Sequence, residues 1–211
     1  METPEGNTHS REYRPVSRRL WNTLLGAIGL TLATALGLIV ALALGWNNPR
    51  PVVPPDWQHP GPAPRLVAPS GRDVVALHGF SGDDLTLEAE ARPLSCPAFN
   101  GYGLVYRAQD SAHYTVFAVS GDGYYAVLKV NGDEETALVD WQQFPHIRRG
   151  QQSNRLRVAC IGPTCRFYIN DEYAATVVDD TWLAGDIGLW ACSFGEEEVT
   201  VQFQDVRVWV E

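Results

Sequence analysis

Several chemistries are missing from this sequence. Its four cysteines, Cys96, Cys160, Cys165 and Cys192, include no C-x-x-C pair, and the five histidines (His9, His59, His78, His113, His146) are scattered. A structural zinc site is therefore excluded at the level of spacing. No Gly-x-Ser-x-Gly elbow and no phosphate-cradling glycine loop occurs, which removes the common serine-hydrolase and nucleotide-binding signatures. Beyond Ser70 no ten-residue stretch repeats its apolar residues with a 3.6-residue period, so helices are not expected there. Charge is missing too, from residue 20 to residue 48.

That charge-free run, from residue 21 to 46, is long enough to cross about 30 Å of hydrocarbon as a helix. A cleavable secretion signal has an apolar core of only about 7–15 residues, although Ala41-Leu42-Ala43 resembles a cleavage site. Arg11, Arg14, Arg18 and Arg19 precede the run and no comparable cluster follows it. The expected topology is a single-pass protein of the cell membrane, with a cytoplasmic N-terminus and an extracytoplasmic remainder. Trp21 and Trp46 suit the two interfaces. Gly29, Ala33, Gly37, Ala41 and Gly45 recur every four residues, a small-xxx-small stripe through which two helices could form a homodimer. Small residues are also common in such helices without any pairing.

Eight prolines lie between residues 47 and 70: Pro49, Pro51, Pro54, Pro55, Pro60, Pro62, Pro64 and Pro69. This composition predicts an extended spacer rather than a core. The expected organisation is a cytoplasmic tail over 1–19, a transmembrane helix over 20–46, a proline-rich stalk over 47–71 and one folded domain over 72–211. After Gly45 there are twelve basic and twenty-two acidic residues, a balance that repels phosphate backbones and excludes nucleic acid as a partner.

From Asp73 onward the apolar period is two. DLTLEAEA, residues 84 to 91, alternates leucine and alanine against threonine and glutamate. Further strands are expected over 102–107, 113–120, 124–130, 136–139, 155–160, 166–169, 173–177, 187–192 and 199–209. Turn signals such as Gly121-Asp122-Gly123, Asn131-Gly132-Asp133 and Gly162-Pro163 separate them. Asn170 and Asp171, in the acidic stretch CRFYINDEYAATVVDD, sit at a hairpin tip where both tolerate positive φ. Many short strands with regular turns mean an all-β sandwich, jelly roll or barrel.

The residues that order these strands carry a resemblance: Gly103, Val105 and Arg107; Tyr114 and Phe117; Gly121 and Gly123; Tyr168, Asn170 and Asp171; Gly185, Gly188 and Leu189; Phe203, Val206 and Val208. Over residues 73 to 211 the pattern resembles the concanavalin A-like lectin and glucanase jelly rolls, closest to the laminin G-like bacterial domains of the 3-keto-disaccharide hydrolase family. The resemblance implies a sandwich of two antiparallel sheets, and it concerns turns and core positions more than chemistry.

Glycan hydrolases of this kind use two facing carboxylates. Glu88 and Glu90 share one strand face and are the candidate catalytic pair, set against the plainer reading of a polar strand face. The E-x-D-x-E signature of related glucanases is missing, so no catalysis is expected; if there is any, it is glycoside hydrolysis. No cofactor is expected either. Asp83, Asp84, Asp122, Asp133, Asp179, Asp180 and Asp186 keep calcium open, but none forms a D-x-D-x-D-G loop.

Sugar recognition needs aromatic faces and a few fixed polar groups. Period-two counting puts Tyr125 and Lys129 on one face, away from Tyr124, Ala126, Leu128 and Val130, which read as the core face. Arg107, Tyr125, Lys129, Trp141 and Trp190 are the expected ligand-binding patch. Cys160 and Cys165 flank a four-residue turn on the apolar face, predicting a cross-hairpin disulfide, with Cys96 and Cys192 as the second bond. Four cysteines allow three connectivities. The expected function is a membrane-anchored module recognising a glycan or protein ligand at the cell surface, with keto-sugar hydrolysis or passive adhesion as alternatives.

Overall fold

The computed structural model describes residues 17–43, 53–95, 97 and 99–210. They belong to two compact units divided after Asn47. Among the described residues the N-terminal unit holds one helix, α1 (Arg18–Ala43), of which Arg18–Ala41 is long and apolar enough to cross a membrane. Its threonines are satisfied within the helix: the hydroxyls of Thr23, Thr31 and Thr34 donate to the carbonyls of Arg19, Ala27 and Leu30 at 2.9, 2.9 and 3.0 Å. A helix in hydrocarbon has to bond its polar groups internally in this way. Gly29, Ala33, Gly37 and Ala41 lie on α1, whereas Gly45, Trp46, Arg11 and Arg14 lie outside the described residues.

The second unit is a sandwich of two antiparallel sheets. Its strands are β1 (Trp57–Gln58), β2 (Arg65–Ala68), β3 (Asp73–Gly82), β4 (Leu85–Pro93), β5 (Asn100–Ala108), β6 (His113–Val119), β7 (Tyr124–Asn131), β8 (Glu134–Gln143), β9 (Asn154–Ile161), β10 (Thr164–Ile169), β11 (Glu172–Val178), β12 (Gly185–Ser193) and β13 (Val199–Val210). The first sheet runs β1-β13-β4-β9-β10-β11, with β2 also on β13; the second runs β3-β12-β5-β6-β7-β8.

Two features correct the expected boundaries. The proline-rich stretch is not a free spacer throughout: Trp57 and Gln58 pair with Val208 and Arg207, and residues 65 to 68 pair with residues 199 to 202. Leu66 and Ala68 are buried in the core. The prolines stand outside these two short ladders, so they do not interrupt them. The long strand β3 was also not expected. As the edge of the second sheet, its alternation is obscured by Gly79, which has φ +71°, and by His78.

The inter-sheet core collects alternate residues from both sheets, including Leu87, Tyr102, Leu104, Phe117, Tyr125, Val127, Leu156, Phe167, Leu189 and Phe203. The outer face of the first sheet is polar. Glu88 there pairs across the ladders with Arg157 and Arg207 and accepts from the Arg207 guanidinium at 3.1 Å, while Glu90 lies opposite Arg155. The outer face of the second sheet is instead apolar, with Val105, Tyr114, Val116, Ala118, Ala126, Leu128, Trp190 and Cys192 forming a second cluster.

One buried amide ties the sheets together. Asn154 is fully buried; its Nδ2 donates to the Tyr102 hydroxyl at 2.9 Å and to Arg148 O at 2.8 Å, and its Oδ1 accepts from Arg148 N and Asn170 Nδ2, each at 2.8 Å. The hairpin tip forms as expected, with φ +53° at Asn170 and +72° at Asp171. The Cys160–Cys165 disulfide is present. Cys192 has a free, buried thiol; the expected second bond involves Cys96, which lies outside the described residues.

Asn154→Ala leaves several buried donors and acceptors without partners and should cost ~2–3 kcal/mol in chemical denaturation; a cost below ~0.5 kcal/mol would show that the network does not tie the sheets. Replacing both Cys160 and Cys165 by alanine should cost about 2 kcal/mol, the entropy of a short closed loop, measured without reductant.

Candidate functional site

Because the outer face of the second sheet is apolar and its strands approach closely, that face can be shaped into cavities. Gly103 lies against β6 so tightly that a Cβ there would stand 2.0 Å from Phe117 O. At Gly101 a Cβ would meet the Trp190 ring at 2.7 Å, so the glycine makes room for the indole. Two depressions follow on this face.

The first is a groove of about 470 Å³ lined by Asp73, Tyr114, Val116, Glu135, Trp190, Cys192 and their neighbours. At its floor the exposed Asp73 carboxylate accepts from the Tyr114 hydroxyl at 2.8 Å and from the Trp190 indole at 3.3 Å. Burial and the bond to Asp73 push the Tyr114 phenol well above its ordinary value. Burial, reinforced by the charges of Asp73 and Glu135, pushes the Cys192 thiol up to about 12.

The second is a cleft of about 300 Å³ lined by Phe99, Asn100, Ser120, Asp122, Tyr124, Trp141 and Phe194. Phe99 is 68% exposed and Phe194 is 51% exposed, unusual values for phenylalanine outside a contact surface. Phe194 stands edge-on to Trp141 at 5.9 Å between centroids and packs on Trp190 at 6.3 Å. It lines both depressions. The polar groups of the cleft are fixed by the turn: Ser120 Oγ donates to Asp122 Oδ1, Tyr124 N donates to Ser120 Oγ at 3.1 Å, and Asn100 Oδ1 accepts from Gly121 N at 3.0 Å. The Tyr124 hydroxyl accepts from Gln143 Nε2 at 3.0 Å. Aromatic edges and faces around an oriented carboxylate and amide match what a sugar presents, apolar C–H patches between hydroxyls.

With this geometry in place the likeness to known structures is informative. The chain is similar to the carbohydrate-binding module CBM66 from Bacillus subtilis, with a TM-score of 0.58 at 18% identity over 67% of this chain and 83% of that one. It is also similar to a protein of unknown function with a galectin-like fold from Bacillus subtilis, with a TM-score of 0.51 at 12% identity over 69% and 89%. A putative glycosyl hydrolase from Parabacteroides distasonis ATCC 8503 gives a TM-score of 0.51 at 11% identity over 70% and 80%. The sandwich is a concanavalin A-like, galectin-like jelly roll. At these identities the likeness concerns the fold alone. No protein-family model and no curated protein sequence matches the chain.

The jelly roll brings together two of the five expected ligand-binding residues. Trp141 lines the cleft, and Trp190 lies beneath the groove but is only 3% exposed, so it supports the floor rather than presenting a face. Tyr125 corrects the expected patch: it is buried between the sheets, with its hydroxyl donating to Ala174 O at 3.0 Å. The face of β7 read as core, with Tyr124 and Ala126, is the outer one. Both faces of β7 are apolar, so period two alone does not tell them apart.

Arg107 and Lys129 do meet, but on Asp179. Arg107 has φ +55° at a bulge opposite β12, which turns its buried guanidinium toward the carbonyls of Asp179 and Gly162. Lys129 Nζ donates to the Asp179 carboxylate at 3.2 Å and to Thr181 Oγ1 at 2.7 Å. Burial works to raise the Asp179 pKa, yet the bonds from Thr181 and Lys129 hold it below the usual carboxylate range. Neither the Arg107 nor the Lys129 side chain lines the groove or the cleft.

Glu88 and Glu90, the weak catalytic candidates, lie as the plainer reading of a polar strand face has them. Both are on the outer face of the first sheet, among Arg155, Arg157 and Arg207, and neither lines the groove or the cleft. Of the calcium candidates, Asp186 accepts from the backbone amides of Gly79, Phe80 and Ile187 and Asp179 is bound as above. Among the described residues no three His, Cys, Asp or Glu side chains converge as a metal-binding group.

Phe99, Tyr124, Phe194, Asn100, Ser120, Asp73 and Tyr114 were not named as site residues from the sequence, although Tyr114 carried the fold resemblance and Tyr124 was read as core. The Ser120-Gly121-Asp122-Gly123 turn was visible, and Tyr124 directly after it was the available signal. In a Cys96→Ser chain, the remaining free thiol, Cys192, should react with a disulfide reagent at pH 8 at least ~100-fold more slowly folded than unfolded, because burial suppresses the thiolate. Equal rates would place it in open solvent.

Proposed function

We propose that this chain is a membrane-anchored, non-catalytic carbohydrate-recognition module whose ligand enters the Phe99, Tyr124, Trp141 and Phe194 cleft. The single observation that carries this reading is the exposure of Phe99 and Phe194 beside the half-buried Tyr124 and Trp141 rings and the polar groups of Asn100, Ser120 and Asp122. Solvent-exposed phenylalanine is costly unless something covers it, and pyranose C–H faces stack on such rings. The carbohydrate-binding module of the same fold supports the choice of ligand class.

The non-catalytic assignment is supported by the surroundings of Glu88, which accepts from Arg207 and lies opposite Arg157 rather than a second acid. Anchoring by α1, with the sandwich outside the cell, is supported by the length and composition of Arg18–Ala41 and by the arginines before it. The stripe of Gly29, Ala33, Gly37 and Ala41 supports pairing of two such helices, which would place two clefts on one surface and raise avidity.

A glycan array probed with the full chain in phospholipid nanodiscs identifies the ligand. In calorimetry with that ligand, Trp141→Ala and Phe194→Ala should each weaken binding at least ~10-fold, about 1.4 kcal/mol. Tyr125→Ala should act mainly on stability, because its ring is in the core. Binding untouched by both cleft substitutions would refute this site, and a blank array would refute the ligand class.

A further inference from the structure

At the open edge of the sandwich, the short strand inside the proline-rich stretch is held by very little backbone. β1 pairs through only two residues, extended by Asp56 N to Val208 O at 2.9 Å and His59 N to Val206 O at 3.0 Å. Two further bonds bracket it, from Trp209 Nε1 to Val53 O at 2.8 Å and from Val210 N to Asp56 Oδ2 at 2.9 Å. Such a short edge strand depends on side-chain packing.

That packing is a four-ring cluster spanning both sheets. Trp57 lies 5.7 Å from His78, 5.7 Å from Phe80 and 6.3 Å from His59, and the two imidazoles are 5.0 Å apart. His59 Nδ1 and His78 Nε2 are both buried and have no hydrogen-bond partner. A neutral imidazole tolerates this, since one ring nitrogen needs no proton. Protonation places a charged N–H where no acceptor exists, next to a second ring that gains the same charge.

The charged groups around the pair do not offset that cost. Asp186 on β12 is near His78, but its oxygens already accept the backbone N–H groups of Gly79, Phe80 and Ile187. Asp205 on the β13 bulge shares with His59 a polar cavity of about 280 Å³. Asp56 is turned to Val210 N.

We propose that His59 and His78 form a proton-operated latch: neutral, they hold residues 53 to 64 on the sandwich edge, and protonated, they release that segment. Each released residue lengthens the tether between α1 and the sandwich by at most ~3.5 Å. Burial, then the neighbouring His59, lowers the His78 pKa against a smaller raising effect of Asp186. A lowered histidine pKa gives stability that is complete above the unfolded-state value of ~6.5 and is lost as pH falls through the folded-state value. Release therefore occurs on acidification.

The latch is tested by hydrogen exchange on the full chain in phospholipid nanodiscs at pH 7.5 and 5.0, with rates corrected for intrinsic pH dependence. Protection of residues 53 to 64 should fall at least ~10-fold at pH 5.0 while β4 and β9 stay protected. His59→Phe with His78→Phe keeps the rings but not the proton, and should hold protection at pH 5.0. Unchanged protection in the native chain, or the same loss in the double variant, overturns the proposal. If the double variant does not fold, NMR titration of the native imidazoles decides, and a His78 pKa at or above 6.5 overturns it.

Discussion

The second sheet has to bury both of its faces, and most of the molecule follows from that requirement. Its inner face packs on the first sheet through Tyr102, Leu104, Phe117, Tyr125 and Val127, while Val105, Val116, Ala118, Ala126 and Leu128 cover the other side. An apolar sheet face left to water would be an aggregation surface. Here it is furnished with aromatic side chains; Gly101 leaves room for the Trp190 and Phe194 rings, and Gly103 lets the β5 and β6 backbones approach closely. The groove and the cleft result from this incomplete covering.

The first sheet solves the opposite problem. Its outer face is charged: Arg207 donates to Glu88 at 3.1 Å, Arg157 lies opposite Glu88 on the next ladder, and the Arg157 guanidinium stacks 4.3 Å from the Tyr168 centroid. Glu88 and Arg157 are buried within this face and Arg207 is half-buried, so the carboxylate is sheltered beside neighbouring cations. Between the sheets, Asn154 is affordable because all its hydrogen-bonding capacity is used. At the end of the sandwich the Arg107 and Lys129 cations both converge on Asp179, which fixes the loop after β11.

Strand positions were legible wherever one face is polar and the other buried. The segment DLTLEAEA is the clearest case, because Leu85, Leu87, Ala89 and Ala91 are core and the glutamates face out. In β7 both faces are apolar, and the alternation that located the strand was silent about its orientation. Arg107 was misplaced for a different reason: a bulge shifts the register by one residue and a positive φ turns the side chain, neither of which leaves a mark in composition. The proline-rich stretch was read by average composition, which hid Trp57 and Leu66 among the prolines.

What the sequence determined by itself is local: a charge-free run long enough to span a bilayer, the Asn170-Asp171 turn, the Cys160–Cys165 hairpin and the alternation that makes a sandwich. Each depends on neighbours within a few residues, where backbone geometry is set by residue type. The tertiary structure alone decided which face of the second sheet would be open, that Phe99, Trp141 and Phe194 would share one cleft, and that β1 and β2 would join β13. Those contacts join residues about 40 to 150 positions apart, brought together only when the two sheets pack and bury their common core.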